Sequence, residues 1–270
     1  MYKRKINSLN KVKNSKILIF SKNKISKKLN YDNKQSIEFY NNFLNWLFKT
    51  FKTSEKKFRS ELFSEIKFKN NQKILITGVG KGDDAEFLNN LKKKNLKIYL
   101  QDLSHYFILH CYNRFKNKKN FYYTISDAKD LPFKDSVFDH VFHFGGINLF
   151  GNIRKSIDEM FRVAKNKGTI SFGDEGVAPW LRNSVYADMM INNNNLWKKR
   201  IPINSLPIKS DNVIVKWLLG NCFYFITFKK NEKFPNVNFN VRHKSPRGGS
   251  ILSRYKDYKG IKKINIHNKK

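Results

Sequence analysis

Residues 73–82 read KILITGVGKG, an apolar run followed by three glycines at alternate positions. The run is typical of a buried strand and residues 83–94 resemble a helix, so the segment predicts a strand, a glycine turn and a helix. Glycine has no Cβ, and such a turn lets a ligand contact main-chain amides at a helix N-terminus. The stretch therefore predicts a nucleotide site. The dinucleotide fingerprint G-x-G-x-x-G would place its third glycine at position 83, where this chain has Asp83.

The composition fits one globular domain with extensions, since 40% of the 270 residues are hydrophobic. Lys and Arg outnumber Asp and Glu by 54 to 21, which gives a formal net charge of +33. Such a charge is typical of proteins that bind nucleic acid or an anionic membrane surface. The excess is mostly Lys and is spread along the chain, and a biased base composition of the gene would give the same pattern. Nucleic acid is thus a partner class that the sequence does not favour.

The cysteine content indicates neither a disulfide framework nor a zinc site. Cys111 and Cys222 are the two cysteines, and no C-x-x-C spacing occurs. No metal site is predicted. The longest apolar runs are far shorter than the ~20 residues that span a bilayer, and the basic N-terminus lacks the apolar core of a secretory signal. The sequence therefore predicts a cytoplasmic protein without a transmembrane segment.

Composition and periodicity divide the chain into four regions. Residues 1–32 form a basic N-terminal arm, and residues 33–70 form a helical extension in which apolar residues recur at helical spacing. The cofactor-binding domain is predicted over residues 71–232, with a cap segment at 176–211, and residues 233–270 form a basic C-terminal tail.

The domain alternates strands and helices, which predicts a parallel sheet with helices on both faces. The predicted elements are strands 73–77, 97–101, 121–125, 138–144 and 168–173 and helices 83–94, 105–117 and 152–165. Two further β-rich runs, 212–219 and 222–229, flank Gly220-Asn221 and predict a closing hairpin. We therefore expect an α/β, Rossmann-like, seven-stranded sheet that is mostly parallel with an antiparallel last strand.

Five motifs occur in the order seen in one family. They are the glycine turn, Asp102 about 20 residues later, SDAKDLPF at 126–133, SVFDHV at 136–141 and EMFRVAKNKG at 159–168. This series resembles the class I S-adenosylmethionine (SAM)-dependent methyltransferases, in particular methyltransferase type 11. The FGGIN segment at 144–148 and Tyr31-Asp32 are similar to quinone-biosynthesis C-methyltransferases.

The resemblance implies a SAM-dependent methyltransferase and assigns cofactor contacts. The glycine amides would face the methionine part of SAM, Asp102 the ribose hydroxyls and Asp127 the adenine amino group. An acid after a strand is often only a helix cap, but the spacing from the glycine turn favours ribose binding. The family usually has an acid where this chain has Ile76, and Asp83 or Asp84 would take its place. The implied cofactor-binding residues are Gly78, Gly80, Gly82, Asp83, Asp102, Leu103, Asp127, Ala128 and Phe144.

Methyl transfer from a sulfonium is an in-line displacement for which a general base is optional. His143 is the first candidate base, and Asp174 and Glu175 form the second, each at a predicted strand end. Each also has a structural explanation, since a lone His is often a hydrogen-bonded core residue and an acidic pair often caps a helix.

The acceptor class follows from what the motifs lack. Amino methyltransferases of nucleic acids usually have Asn or Asp and two prolines after the fourth strand, where this chain has FGGIN, and neither cysteine is placed as a nucleophile. The sequence therefore favours a small, hydrophobic or aromatic acceptor, methylated at oxygen or carbon. An RNA-binding or RNA-modifying protein on the same fold is the main alternative. An NAD-dependent oxidoreductase ranks lower because of the glycine spacing and the closing hairpin.

Overall fold

The computed structural model describes residues 1–2, 17–20, 32–233, 237–244 and 248–259. The chain divides into two compact units, residues 1–230 and residues 231–270. Most of the predicted basic arm and parts of the predicted basic tail lie outside the described residues. In the second unit, Arg242 and Ser250 form an isolated antiparallel bridge ahead of a short helix.

The first unit is built on one sheet with the order β1-β4-β3-β2-β5-β6-β8-β7. β8 runs antiparallel to both of its neighbours, β6 and β7, and the other described strand pairs of the sheet are parallel. The predicted α/β, Rossmann-like class with an antiparallel last strand is thus confirmed. The strands are β1 (Ile17–Ile19), β2 (Lys73–Thr77), β3 (Lys97–Asp102), β4 (Phe121–Ile125), β5 (Phe138–Phe144), β6 (Ala164–Glu175), β7 (Ser210–Leu218) and β8 (Phe223–Lys230).

Helices cover both faces of the sheet, as predicted. They are α1 (Gln35–Thr50), α2 (Glu55–Leu62), α3 (Asp83–Asn89), α4 (His105–Arg114), α5 (Ile153–Val163) and α6 (Val185–Asn193), with α7 (Ile251–Lys259) in the second unit. Within the described residues, no helix combines the length and apolar character needed to cross a bilayer.

The sheet has eight strands, and the prediction of seven is wrong by one. The additional strand β1 pairs in parallel with β4, where Ile17 lies opposite Tyr123 and Ile19 opposite Ile125. Ile17 is fully buried, so three apolar residues inside a basic segment suffice to cover the sheet edge. Tyr2 also docks there, because its ring packs 5.4 Å from that of Phe133.

Because successive residues of a strand point to opposite faces, the sheet has one hydrophobic core on each face. Ile74 and Ile76 point into the core under α1 to α4, whereas Leu75 between them points into the core under α5. Because both faces are covered by helices, β2 reads as a continuous apolar run. This burial fixes the strand end at Thr77, from which the glycine turn begins.

A buried ion cluster holds α2 against α3. The Arg59 guanidinium bonds Asp84 and Glu55, and lies 3.4 Å from Asp83. Burial raises the pKa of Asp84, and the charge of Arg59 opposes this shift. The cluster thus positions the helix that follows the glycine turn.

Replacing Arg59 by Met is expected to lower the free energy of unfolding by about 3 to 5 kcal/mol, because it leaves buried carboxylates without their cation. The matched control is Arg154→Met, since Arg154 lies 4.0 Å from Asp158 and both side chains are about half exposed. That pair should contribute about 0 to 1 kcal/mol. Urea unfolding measures both variants, and equal losses would contradict the role given to Arg59.

Candidate cofactor and acceptor site

The predicted site residues lie at one edge of the sheet, because β2 to β6 are parallel and their carboxyl ends meet there. Ligands of open α/β sheets bind outside this edge. The edge carries the glycine turn after β2, Asp102-Leu103 at the end of β3, Asp127-Ala128 after β4, His143-Phe144 at the end of β5 and Asp174-Glu175 at the end of β6.

The glycine turn leaves a space at its centre. Gly78, Gly80 and Gly82 have φ of +58°, +53° and +90°, a left-handed region that favours glycine. A Cβ on Gly78 would lie 2.8 Å from His143, and one on Gly82 would lie 2.9 Å from Phe115. A Cβ on Gly80 would meet nothing within 4 Å. The outer glycines therefore serve packing, and Gly80 borders open space.

Asp102 faces the turn from the end of β3. Its Oδ2 accepts a hydrogen bond from the Gly80 amide at 3.0 Å, and its Oδ1 accepts one from the Ser104 amide at 2.9 Å. Burial raises the pKa of Asp102 to about 6, although these backbone hydrogen bonds oppose the shift. The group is thus mainly ionised at neutral pH, and each oxygen keeps a lone pair for a ribose hydroxyl.

Asp32 is a second carboxylate beside Asp102. Its Oδ1 accepts hydrogen bonds from Ser104 Oγ at 2.6 Å and from the Tyr106 amide at 2.8 Å, so it caps α4. Its charge also contributes to the raised pKa of Asp102. Sequence reasoning noted Asp32 only through a family resemblance, because no local pattern indicates a contact across some seventy residues.

The predicted adenine segment is fixed by α5. Glu159 accepts a hydrogen bond from the Leu131 amide at 2.8 Å, and Arg162 donates to the carbonyls of Leu131 and Phe133. The E-x-x-R pair thus anchors the segment that carries Asp127. The side chain of Asp127 is partly exposed and accepts a hydrogen bond from the Lys129 amide.

Two predicted cofactor contacts already have protein partners. Burial alone would raise the pKa of Asp83, but hydrogen bonds from Lys81 and Arg114 outweigh it and lower that pKa. The ring of Phe144 packs 5.3 Å from Phe58 and 6.1 Å from Phe223. Contact of these two side chains with a cofactor stays a prediction.

His143 is fully buried beside Gly78. Its Nδ1 lies 2.8 Å from the Thr77 carbonyl oxygen, to which it donates a hydrogen bond. Burial lowers the pKa of His143, although the charge of Asp174 opposes the shift. The ring is therefore neutral at neutral pH and forms a wall of the turn.

Asp174 and Glu175 form a buried carboxyl pair. Asp174 accepts hydrogen bonds from the Asn148 amide at 2.7 Å and from the Glu175 amide at 2.9 Å. Burial, together with a hydrogen bond to Asp174 and its charge, raises the pKa of Glu175 to about 9. Glu175 therefore keeps its proton at neutral pH. Asn148 clamps the pair, since it donates to the Glu175 carbonyl and accepts from Tyr224.

Tyr40 on α1 links the two halves of the site. Burial is the main cause that raises the pKa of its phenol, and the charges of Asp102, Glu175 and Asp174 raise this pKa further. The phenol therefore lies within electrostatic reach of both the predicted ribose acid and the carboxyl pair. The helical spacing of apolar residues in 33–70 does not reveal that Tyr40 lies near these carboxyl groups.

The family model for the methyltransferase domain matches residues 75–172, which run from β2 into β6 and include the glycine turn and Asp102. Residues 75–172 therefore carry a methyltransferase domain. SAM is the cofactor of this family, and the site of the methyltransferase domain fits it. The open space over Gly80 would take the sulfonium end, and Asp102 would accept from the ribose hydroxyls.

Relatives of the methyltransferase domain cover part of the chain. A ubiquinone/menaquinone biosynthesis C-methyltransferase of Wigglesworthia glossinidia brevipalpis is 29% identical over 103 residues, which are 37% of this chain and 41% of that protein. An uncharacterized protein of Methanocaldococcus jannaschii is 24% identical over 145 residues, 53% of each chain. The chain thus spans about half the length of these curated relatives.

Solved structures support the fold of the methyltransferase domain. Phosphoethanolamine N-methyltransferase 2 of Haemonchus contortus, in complex with SAM, has a TM-score of 0.56 at 14% identity. The match covers 75% of this chain and 59% of that protein. A Methanococcus maripaludis protein assigned to the SAM-dependent methyltransferases has a TM-score of 0.56 at 17% identity. The match covers 78% of this chain and 99% of that protein.

Proposed function

We propose that the protein transfers the methyl group of SAM to a small, hydrophobic or aromatic acceptor at oxygen or carbon. The observation that carries this proposal is the carboxyl pair of Asp174 and Glu175, buried at the same sheet edge as Asp102 and within the electrostatic reach of Tyr40. The name of the Wigglesworthia relative, a C-methyltransferase of quinone biosynthesis, supports an aromatic acceptor.

Bound SAM supplies the methyl group and leaves as S-adenosylhomocysteine. The protein contributes alignment and water exclusion, which are its main means of accelerating an in-line displacement. Asp102 and the amides of the glycine turn fix the adenosyl part. Tyr40, above the edge, orients an acceptor hydroxyl or ring.

The carboxyl pair handles the acceptor proton. As the acceptor takes the methyl group, its proton would pass to Glu175 and then to solvent. Glu175 can accept this proton only after losing its own, so we expect the rate to rise with pH towards about 9. His143 has no exposed surface, and we propose that it positions the glycine turn.

The experiment uses SAM with a tritiated methyl group and a panel of phenols, catechols and prenylated hydroquinones. Label that moves into an organic-extractable product, and fails to do so with Asp102→Asn, would support the proposal. Total RNA is incubated in parallel, since an RNA-modifying enzyme is the second candidate. Label that enters RNA and none of the small acceptors would contradict the acceptor class.

A further inference from the structure

Large apolar side chains are exposed on α1 and on the cap between β6 and β7, among them the following five. Phe39 and Trp46 on α1 are 66% and 39% exposed. On the cap, Trp180, Val185 and Met189 are 65%, 76% and 68% exposed. Single exposed apolar residues are ordinary, but a group on elements that contact each other marks an interaction surface.

An aromatic row connects α1 to the cap. On one face of α1, the Phe43 ring stacks 6.4 Å from Phe39 and 6.0 Å from Trp46. Trp46 then stacks 6.2 Å from Trp197, which lies just after α6 and is fully buried. We call the five exposed residues named above the aromatic surface.

Cations lie close to Trp180 of the aromatic surface. Arg182 follows Trp180 by two residues, and the exposed Lys198, Lys199 and Arg200 follow the buried Trp197. Arg182 donates to the carbonyls of Lys198 and Lys199, and burial together with the charge of Arg200 lowers the pKa of Arg182. In the part of the chain that the structure describes, none of these four cations forms an ion pair with a carboxylate. Their positive charge is therefore open to an external anion.

We propose that the aromatic surface docks on an anionic lipid bilayer. Exposed Phe, Trp and Met side chains beside Lys and Arg have the chemistry of an interfacial anchor, in which rings enter the headgroup region and cations contact lipid phosphates. A second copy of this chain is a poorer occupant, because a net charge of +33 repels itself. Docking does not require methyl transfer. The further step, in which docking brings a lipid-soluble acceptor close to Tyr40 on α1, rests on the proposed function.

The test is co-sedimentation of the full chain with phosphatidylglycerol vesicles at about 0.15 M salt, with phosphatidylcholine vesicles as the neutral comparison. The chain should partition to the anionic vesicles. The double variant Phe39→Ser, Met189→Ser should lower that partition at least about tenfold, because both side chains would lose their burial in lipid. The matched control is Val213→Ser, Ile214→Ser, which changes exposed apolar residues of β7.

Three outcomes would overturn the proposal. The chain could fail to sediment with anionic vesicles, the control could lose as much binding as the test variant, or the test variant could bind as well as the unchanged chain. The last result would indicate adsorption through lysine charge alone. The thermal unfolding temperature of both variants checks that the fold is kept, as expected for exposed positions.

Discussion

Asp102→Asn is expected to weaken SAM binding by about a hundredfold, because each of two charge-assisted hydrogen bonds to the ribose contributes about 1.5 kcal/mol. Isothermal titration calorimetry with SAM and with S-adenosylhomocysteine measures the change. An unaltered dissociation constant would show that Asp102 only supports the glycine turn through the Gly80 amide.

The same carboxylate should make SAM binding depend on pH. The pKa of Asp102 is raised to about 6, and ribose hydroxyls bind its ionised form. Affinity should therefore be constant above about pH 7 and fall as pH drops through about 6, towards tenfold per unit. Asp102→Asn should remove this dependence, and a parallel fall in the variant would assign it to another group.

Comparing Gly80→Ala with Gly151→Ala separates the effect of filling the space over the turn from the effect of backbone strain. Gly80 and Gly151 have φ of +53° and +72°, and a Cβ on either would meet nothing within 4 Å. Alanine should therefore cost about 1 kcal/mol of stability at each position. Only Gly80→Ala should weaken SAM binding, since its methyl group enters the cofactor space. Equal affinities in the two variants would contradict that placement.

The second large effect is a loss of stability at high pH that depends on Glu175. Its pKa in the folded protein is about 9, against an ordinary value of 4.5. Between these values the native state holds a proton that the unfolded chain releases, so the free energy of unfolding falls as pH rises. Glu175→Gln keeps a neutral hydrogen-bonding group and should flatten this fall.

Urea unfolding at about pH 6 and about pH 8.5 measures the difference for the unchanged chain and for Glu175→Gln. Glu61→Gln is the control, because Glu61 is an exposed residue of α2. Its pH dependence should match that of the unchanged chain. An equally steep fall in Glu175→Gln would show that the carboxyl pair is not the source. The methyl-transfer rate of that variant should also no longer rise towards pH 9.

Strand positions in the domain were predictable because buried parallel strands read as short apolar runs bounded by turn residues. β2, β4 and β5 have the predicted bounds, and β3 runs one residue further than predicted, so that Asp102 is its last residue. Helix ends were less predictable: α3 ends at Asn89 where the sequence indicated 94, because Leu91 to Asn95 form a turn with Asn95 at φ +57°. Local composition does not encode where a capping turn replaces the last helical hydrogen bonds.

The contacts that complete the site were not predictable, because each joins distant parts of the chain. β1 is a three-residue strand inside a lysine-rich segment, and its burial depends on the edge of β4. Asn148 gains its role only when Asp174 and Tyr224 meet it across neighbouring strands. Periodicity does not single out Tyr40, and only the fold brings it within electrostatic reach of Asp102 and the carboxyl pair.

A crystal structure with S-adenosylhomocysteine would show whether the cofactor binds at the carboxyl edge of the sheet. We predict ribose hydroxyls within about 3 Å of the Asp102 carboxylate and the sulfur over Gly80. A ligand bound elsewhere, or a ribose that does not contact Asp102, would contradict the account.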